Sequence, residues 1–272
     1  MSFKTISSTI FKDHPYGMSQ TGTEKSISKI EAEYLKRIHH KNLNSSPIVF
    51  CYSGPHSPDA VRKQIMQNFK QLKPRPDNRK IKPQKISIKN KSYNELSFNR
   101  EQTHIFHGFQ TLTLKDTETQ AIKIIHAHLG GQSSKLFTEV RDEKGLCYSV
   151  QPIFFNAIEG GYFGIYMGTS NEKVTDALGS IKTIISDLKN NGLSKKEFEQ
   201  TRKMLSGQFE MSLQTNEDFI GIYGIPFLHG QNIDFYYQQN ELIKKMTHHD
   251  LNKFIKKIFS RPSHTVLAGN FD

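Results

Sequence analysis

Apolar residues along the chain recur at helical spacing in several blocks, most of them opened by capping signals. A Ser28-x-x-Glu31 capping box precedes an apolar stripe of Ile30, Tyr34, Leu35 and Ile38. Ser57-Pro58-Asp59 supplies an N-cap, an N1 proline and an acid ahead of Val61, Ile65, Phe69 and Leu72. Thr169-x-x-Glu172 predicts a helix with Val174, Leu178, Ile181, Ile185 and Leu188 on one face, closed by Asn191-Gly192. Ser194-x-x-Glu197 starts the next, with Leu193 and Phe198 spaced as a hydrophobic staple and Leu205, Phe209 and Leu213 on its core face. A last helix, about 247–259, turns Leu251, Phe254, Ile255 and Ile258 inward.

Between these blocks the pattern changes to strands. Pro47 to Tyr52 is a short apolar run ended by Ser53-Gly54, and Glu95 to Phe109 alternates loosely. Cys147 to Phe155 and Tyr162 to Met167, joined by a turn at Glu159-Gly160-Gly161, predict a hairpin, and Thr265 to Ala268 a final strand. Strand blocks and helix blocks are segregated, which predicts an α+β fold: a two-layer mixed or antiparallel sheet packed with helices.

One internal similarity organises the chain. Ile27–Glu31 leads a helix, a polar turn and then PIVFCYSG; Met246–Asp250 leads a helix, a turn through Ser260-Arg261-Pro262 and then HTVLAGN. The two passages share one plan, yet the first follows about 26 residues and the second about 150 more. This predicts a partial first domain at 1–72, a linker at 73–92 and a complete domain at 93–272. A strand at 47–52 would need sheet partners that residues 1–45 do not obviously supply.

Charge adds little to that picture. The net charge is +11, and the 73–91 stretch holds eight Lys or Arg against the single acid Asp77, with prolines at 74, 76 and 83. This reads as an exposed linker in a lysine-rich chain rather than a nucleic-acid site, because no aromatics interleave with it and no recognised module is present. No apolar run approaches the roughly 18–20 residues of a membrane helix, and the N-terminus lacks an apolar signal region; neither fact fixes a compartment. Cys51 and Cys147 lie in apolar stretches and are expected as buried free thiols.

Candidate chemistry is sparse. Neither His-Glu-x-x-His nor His-x-x-Glu-His occurs, and the pairs His39-His40, His104/His107, His126/His128 and His248-His249 have spacings that suit no shared metal. No metal ligand is assigned. Gly-x-Ser-x-Gly is absent, and the HLGGQSS string lacks the ending a phosphate loop needs. What remains is HLGGQSSKLFTEVRDEKGLCY, 128–148. Gly130, Gly131, Ser133 and Ser134 let backbones approach closely, and Arg141 and Tyr148 are donors that could hold a peptide carbonyl or an oxyanion. The spacing equally allows Arg141 to pair with Glu139 or Asp142 while Tyr148 packs.

Taken with Glu101-Gln102-Thr103-His104 and Gly108-Phe109, the strings Leu129-Gly130-Gly131-x-Ser133-Ser134-Lys135-Leu136-Phe137 and Arg141-x-x-x-Gly145-Leu146-x-Tyr148-Ser149-Val150 resemble the C-terminal domain of pitrilysin/insulinase-like zinc metallopeptidases, the family of mitochondrial processing peptidase. HPYG at 14–17 followed by Gly22-Thr23-Glu24 is similar to the late part of the preceding domain, so the resemblance runs from about residue 12 to the end. Gln132, Lys135 and Cys147 stand where the family often has Met, Arg and Ala. The resemblance implies two homologous domains closing on a peptide, with zinc and its ligands in an N-terminal half or partner subunit and no cofactor in this chain. It carries the substrate-holding Arg and Tyr onto Arg141 and Tyr148. The implied partners are a peptide or protein substrate and a zinc-bearing homologous domain or subunit. The chain by itself is expected to be inactive; a non-catalytic structural subunit is the alternative.

Overall fold

The computed structural model describes residues 2–71, 86 and 90–270. Its helices are α1 (Ser2–Ile10), α2 (Glu24–Ile27), α3 (Ala32–Ser45), α4 (Pro58–Asn68), α5 (Glu118–Gly130), α6 (Val174–Asn191), α7 (Lys195–Met211), α8 (Asn216–Leu228), α9 (Phe235–Lys245) and α10 (His248–Ile258). Its strands are β1 (Ser92–Ser97), β2 (Gln102–Thr111), β3 (Ser149–Asn156), β4 (Gly161–Ser170) and β5 (Ser263–Gly269). None of the described helices is long and apolar enough to cross a membrane. The chain divides into two compact units: one from Met1–Gln20, Pro83–Ser206 and Leu242–Asp272, the other from Thr21–Lys82 and Gly207–Glu241. Most of the basic linker expected at 73–92 lies outside the described residues.

The first unit is built on one mixed sheet of order β1-β5-β2-β4-β3. β1 runs parallel to β5, and the β5–β2, β2–β4 and β4–β3 pairs are antiparallel. Alternation along the strands gives each face its own core. Ile105, Phe109, Phe163, Ile165, Met167 and Leu267 pack against helices α5, α6 and α10. On the opposite face Phe106, Tyr162 and Val266 meet Ile6, Ile10 and Phe11 of the N-terminal segment. Near the middle of the sheet Gly108 stands opposite Gly164, and a Cβ on either would meet the Phe106 ring at 2.6 or 2.5 Å. The expected α+β sheet with packed helices is the architecture observed, including the hairpin, now β3–β4, and the final strand, now β5.

Local signals fared unevenly. Ser194 and Glu197 form the expected capping box, with Ser194 N–H donating to Glu197 Oε2 at 2.8 Å, and the stapling Leu193 and Phe198 are both buried. Gly192 ends α6 at φ 67°, a conformation that favours glycine. Thr169 does not cap α6. It sits inside β4, and a short 3-10 turn at Asn171–Lys173 intervenes before the helix. Ser28 does not cap α3 either: Thr23 and Ser26 form a capping box on α2, Ser28 closes that short helix, and Glu31 occupies the N-cap of α3.

The second unit has no strand among its described residues, so the run at Pro47–Tyr52 does not form the strand expected of it. The stripe expected to bury α3 is open to solvent, with Ile30, Tyr34 and Leu35 all exposed. Cys51 is exposed and Cys147 half-buried; both are free thiols, but neither is the core residue expected, since the strand that would have enclosed Cys51 does not form.

Candidate functional site

The 128–150 region runs off the end of α5, through a turn at Gly131–Lys135, into a π-helical stretch Leu136–Glu143 and then a loop to β3. Leu136 and Val140 bury one side of the π-helix, and its wide turns are closed by Lys144 N–H donating to Glu139 O (3.1 Å) and Leu146 N–H to Val140 O (3.1 Å). Segments of π-helix are uncommon and concentrate at functional sites. Ser134 is buried and starts this stretch: its carbonyl accepts from the N–H groups of Phe137 and Thr138, each at 2.9 Å. Ser133 beside it is exposed. The close backbone approach expected at the two glycines is not seen. A Cβ on Gly130 would meet nothing nearer than Pro152 at 3.5 Å, and one on Gly131 nothing nearer than Ser133 Oγ at 3.9 Å.

Arg141 lies on the π-helix with its guanidinium carbon 4.5 Å from the centre of the Phe137 ring. Among the described residues it makes no ion pair with Glu139 or Asp142. The stacking orients its charge, and among the described residues no carboxylate forms an ion pair with it. Partial burial pushes the pKa of the Cys147 thiol up, and the charge of Arg141 offsets part of that rise.

Tyr148 is 82% exposed and immediately precedes β3. The loop that carries it is fixed from behind. Leu146 is buried and its carbonyl accepts from the Thr169 hydroxyl at 2.6 Å, while the Gly145 carbonyl accepts from Lys173 Nζ at 3.0 Å. Gly145 itself adopts φ 56°. Tyr148 thus projects from an anchored turn instead of packing. A shallow cleft of about 320 Å³ opens beside it, walled by Glu101, Gln102, Cys147, Ser170 and Lys173 among others. Arg141 and the Gly130–Ser134 turn are not among the described walls of that cleft. Phe137, Thr169 and Lys173 were not singled out as site residues from sequence; Thr169 and Lys173 act on backbone carbonyls distant in the chain, which residue spacing does not reveal.

Zinc does not fit the described residues. His104 Nδ1 is 2.7 Å from Tyr166 OH, and His107 Nδ1 is 2.8 Å from Thr265 Oγ1 on the other face of β2. His126 packs edge-on against Phe154, and His248 Nε2 lies 2.6 Å from Leu193 O. Among the described residues no three His, Cys, Asp or Glu side chains come together as a ligand group.

The family described as the peptidase M16 inactive domain matches residues 29–205. The chain is 24% identical over 215 residues to the uncharacterized zinc protease YmxG of Bacillus subtilis, covering 77% of this chain and 51% of the relative. It is 23% identical over 265 residues to an uncharacterized zinc protease of Mycobacterium bovis, covering 96% and 60%. The chain therefore spans about half to three-fifths of the length of these relatives. In fold it is similar to a peptidase M16 inactive domain from Pseudomonas fluorescens, with a TM-score of 0.82 at 20% identity over 99% of this chain and 65% of that one. A protease from Helicobacter pylori is similar at a TM-score of 0.79 and 17% identity, over 94% and 63%. With the match spanning well over half of its length, the chain belongs to the pitrilysin/insulinase-like M16 peptidase family, as a member carrying that family's inactive domain.

Proposed function

We propose that this chain is the substrate-holding half of an M16 zinc peptidase, and that Arg141 and Tyr148 hold the peptide backbone and stabilise the oxyanion of the transition state. Zinc and the general base belong, in this reading, to a zinc-bearing half or partner subunit, and no step of the chemistry is carried by metal on this chain. The observation that carries it is the state of the two donors. Tyr148 is exposed on a turn pinned by Thr169 and Lys173, and Arg141 is stacked on Phe137 with no carboxylate paired to it among the described residues. Donors held in place before the substrate arrives stabilise developing negative charge without reorganising. The Gly130–Ser134 turn, with Ser133 exposed, is assigned to substrate contact alongside them.

The test is reconstitution. The purified chain should hydrolyse no peptide, and mixing it with a zinc-bearing M16 half should give cleavage that a chelator abolishes. A stable mixed complex with no hydrolysis would instead favour a non-catalytic scaffold, and turnover by the chain alone would reject the reading.

A further inference from the structure

Gly168 of β4 stands between two polar neighbours. It pairs with His104 of β2 on one side and with Ser149 of β3 on the other, so the three residues form one row on one face of the sheet. Gln102 and Tyr166, two residues along from His104 and Gly168, belong to the same face. Because Gly168 has no side chain, a space ringed by polar atoms is left above it. A Cβ there would lie 3.4 Å from Ser149 Oγ, 3.8 Å from His104 Nδ1 and 3.9 Å from Gln102 Oε1. Tyr166 holds the imidazole: its hydroxyl is 2.7 Å from Nδ1 and the two rings are stacked, with 16° between their planes. Gly168 and Gln102 both line the cleft of about 320 Å³ beside Tyr148, and Ser149 is the residue after Tyr148. An extended peptide advances about 3.3 Å per residue, so a chain held at Tyr148 brings a side chain to this space within about two residues.

The chemistry of the space is neutral and polar. Burial holds the His104 imidazole below its ordinary pKa, so the ring is uncharged near pH 7, and burial raises that of the Tyr166 hydroxyl, which keeps its proton. In either tautomer of the ring the His104–Tyr166 pair retains one donor and one acceptor, and Gln102 and Ser149, both exposed, add an amide and a hydroxyl. The charged residues on the described walls of the cleft are one acid, Glu101, and one base, Lys173, whose charges offset. A charged side chain entering the space would be desolvated without a counter-charge, and an apolar one would leave the ring of polar groups unsatisfied. A small hydroxyl or carboxamide satisfies them.

We propose that the space over Gly168 is a specificity subsite that takes a small, neutral, polar side chain of the peptide close to the scissile bond. Gln102, His104 and Ser149 select that side chain, and Tyr166 is a positioning residue that acts through His104. The inference rests on the proposed role of this chain as a substrate-holding half, and it names the class of substrate that the half prefers.

The experiment uses the full chain reconstituted with a zinc-bearing M16 half and peptides in which serine, asparagine, leucine or lysine is scanned through the positions flanking the scissile bond. At one position the serine and asparagine peptides should exceed the leucine and lysine peptides in kcat/KM by about tenfold, the discrimination of roughly one neutral hydrogen bond. Gly168→Ala puts a methyl group into the space at ordinary contact distance and should remove the preference, while Ser149→Ala and Tyr166→Phe should each reduce it. The readout is a ratio between peptides on one enzyme, so a merely structural role for Tyr166 would lower all four peptides alike and leave the ratio unmoved. Hydrolysis of the four peptides without preference, or a preference that survives Gly168→Ala, overturns the subsite and leaves the peptidase reading intact. A complex that hydrolyses nothing rejects the peptidase reading, and the subsite is then decided on the full chain alone. There the imidazole resonances of His104, identified with His104→Gln, should shift on titration with the serine peptide and not with the leucine peptide. No shift with the serine peptide, or equal shifts with both, overturns the subsite.

Discussion

The guanidinium of Arg141 lies 4.5 Å over the ring of Phe137, one turn earlier on the same π-helix, and this stacking orients a charge that no carboxylate among the described residues pairs with. An exposed cation–π contact of this kind contributes about 0.5–1 kcal/mol. Phe137→Leu should therefore lower kcat/KM of a reconstituted peptidase by about two- to fivefold, and Phe137→Tyr should leave it near wild type. Steady-state kinetics on the two variants checks this, since a purely packing role for Phe137 would change stability and leave kcat/KM unmoved.

The Thr169 hydroxyl holds the loop before Tyr148 through its 2.6 Å bond to the Leu146 carbonyl. Thr169→Val keeps the shape and removes the donor, at a cost of about 1–2 kcal/mol from the unsatisfied buried carbonyl. Hydrogen exchange at residues 145–148 should accelerate in this variant while the β2–β4 ladder stays protected. Uniform acceleration across the sheet would assign Thr169 to global stability instead.

Glu118, at the start of α5, is buried and forked by Arg261, with Nη2 donating to Oε2 at 2.6 Å and Nη1 to Oε1; Lys257 approaches to 3.6 Å and Arg261 also donates to Gln110 O. Removing one partner leaves the other charge buried, so Arg261→Ala should destabilise the chain by about 3–5 kcal/mol. The double variant Glu118→Gln with Arg261→Met should recover part of that loss. Denaturant unfolding of the three proteins measures both.

Burial lowers the pKa of His107 from 6.5 to about 4, with Lys182, Lys91 and His264 pushing the same way. The folded state therefore keeps the ring neutral where the unfolded chain protonates it. Its contribution is fully present above about pH 6.5 and is lost as pH falls toward 4, by at most about 3 kcal/mol. His264, lowered by the same cause, acts in the same direction. Unfolding free energy measured from pH 7 to 4 should fall, and His107→Gln should flatten part of the slope.

The β3–β4 hairpin, β5, α6 and α10 are legible because their apolar positions recur at strand or helix spacing, whereas the run Glu95–Phe109, expected as one strand, falls on two, β1 and β2, which lie on either side of β5. The capping signal at Ser194 was read correctly, whereas those at Thr169 and Ser28 were not, because a Ser or Thr three residues before an acid serves equally as a strand residue or as the close of a shorter helix. The segment at 47–52 is apolar like β5 but forms no strand among the described residues, because pairing is a property of the sheet rather than of the segment. In the candidate site, Arg141 and Tyr148 are expected only from the strings that resemble the family. What holds them, a phenylalanine ring and two donors to backbone carbonyls, depends on tertiary contacts that no spacing encodes.

The most direct test of the account is the kcat of Tyr148→Phe in the reconstituted peptidase. With its side chain 82% exposed, the substitution should change stability by less than about 0.5 kcal/mol. The account predicts that kcat falls by about 10²-fold, the loss expected for one oxyanion donor, with KM little changed. A kcat equal to that of the wild type, in a complex that still binds zinc and cleaves peptide, would contradict it.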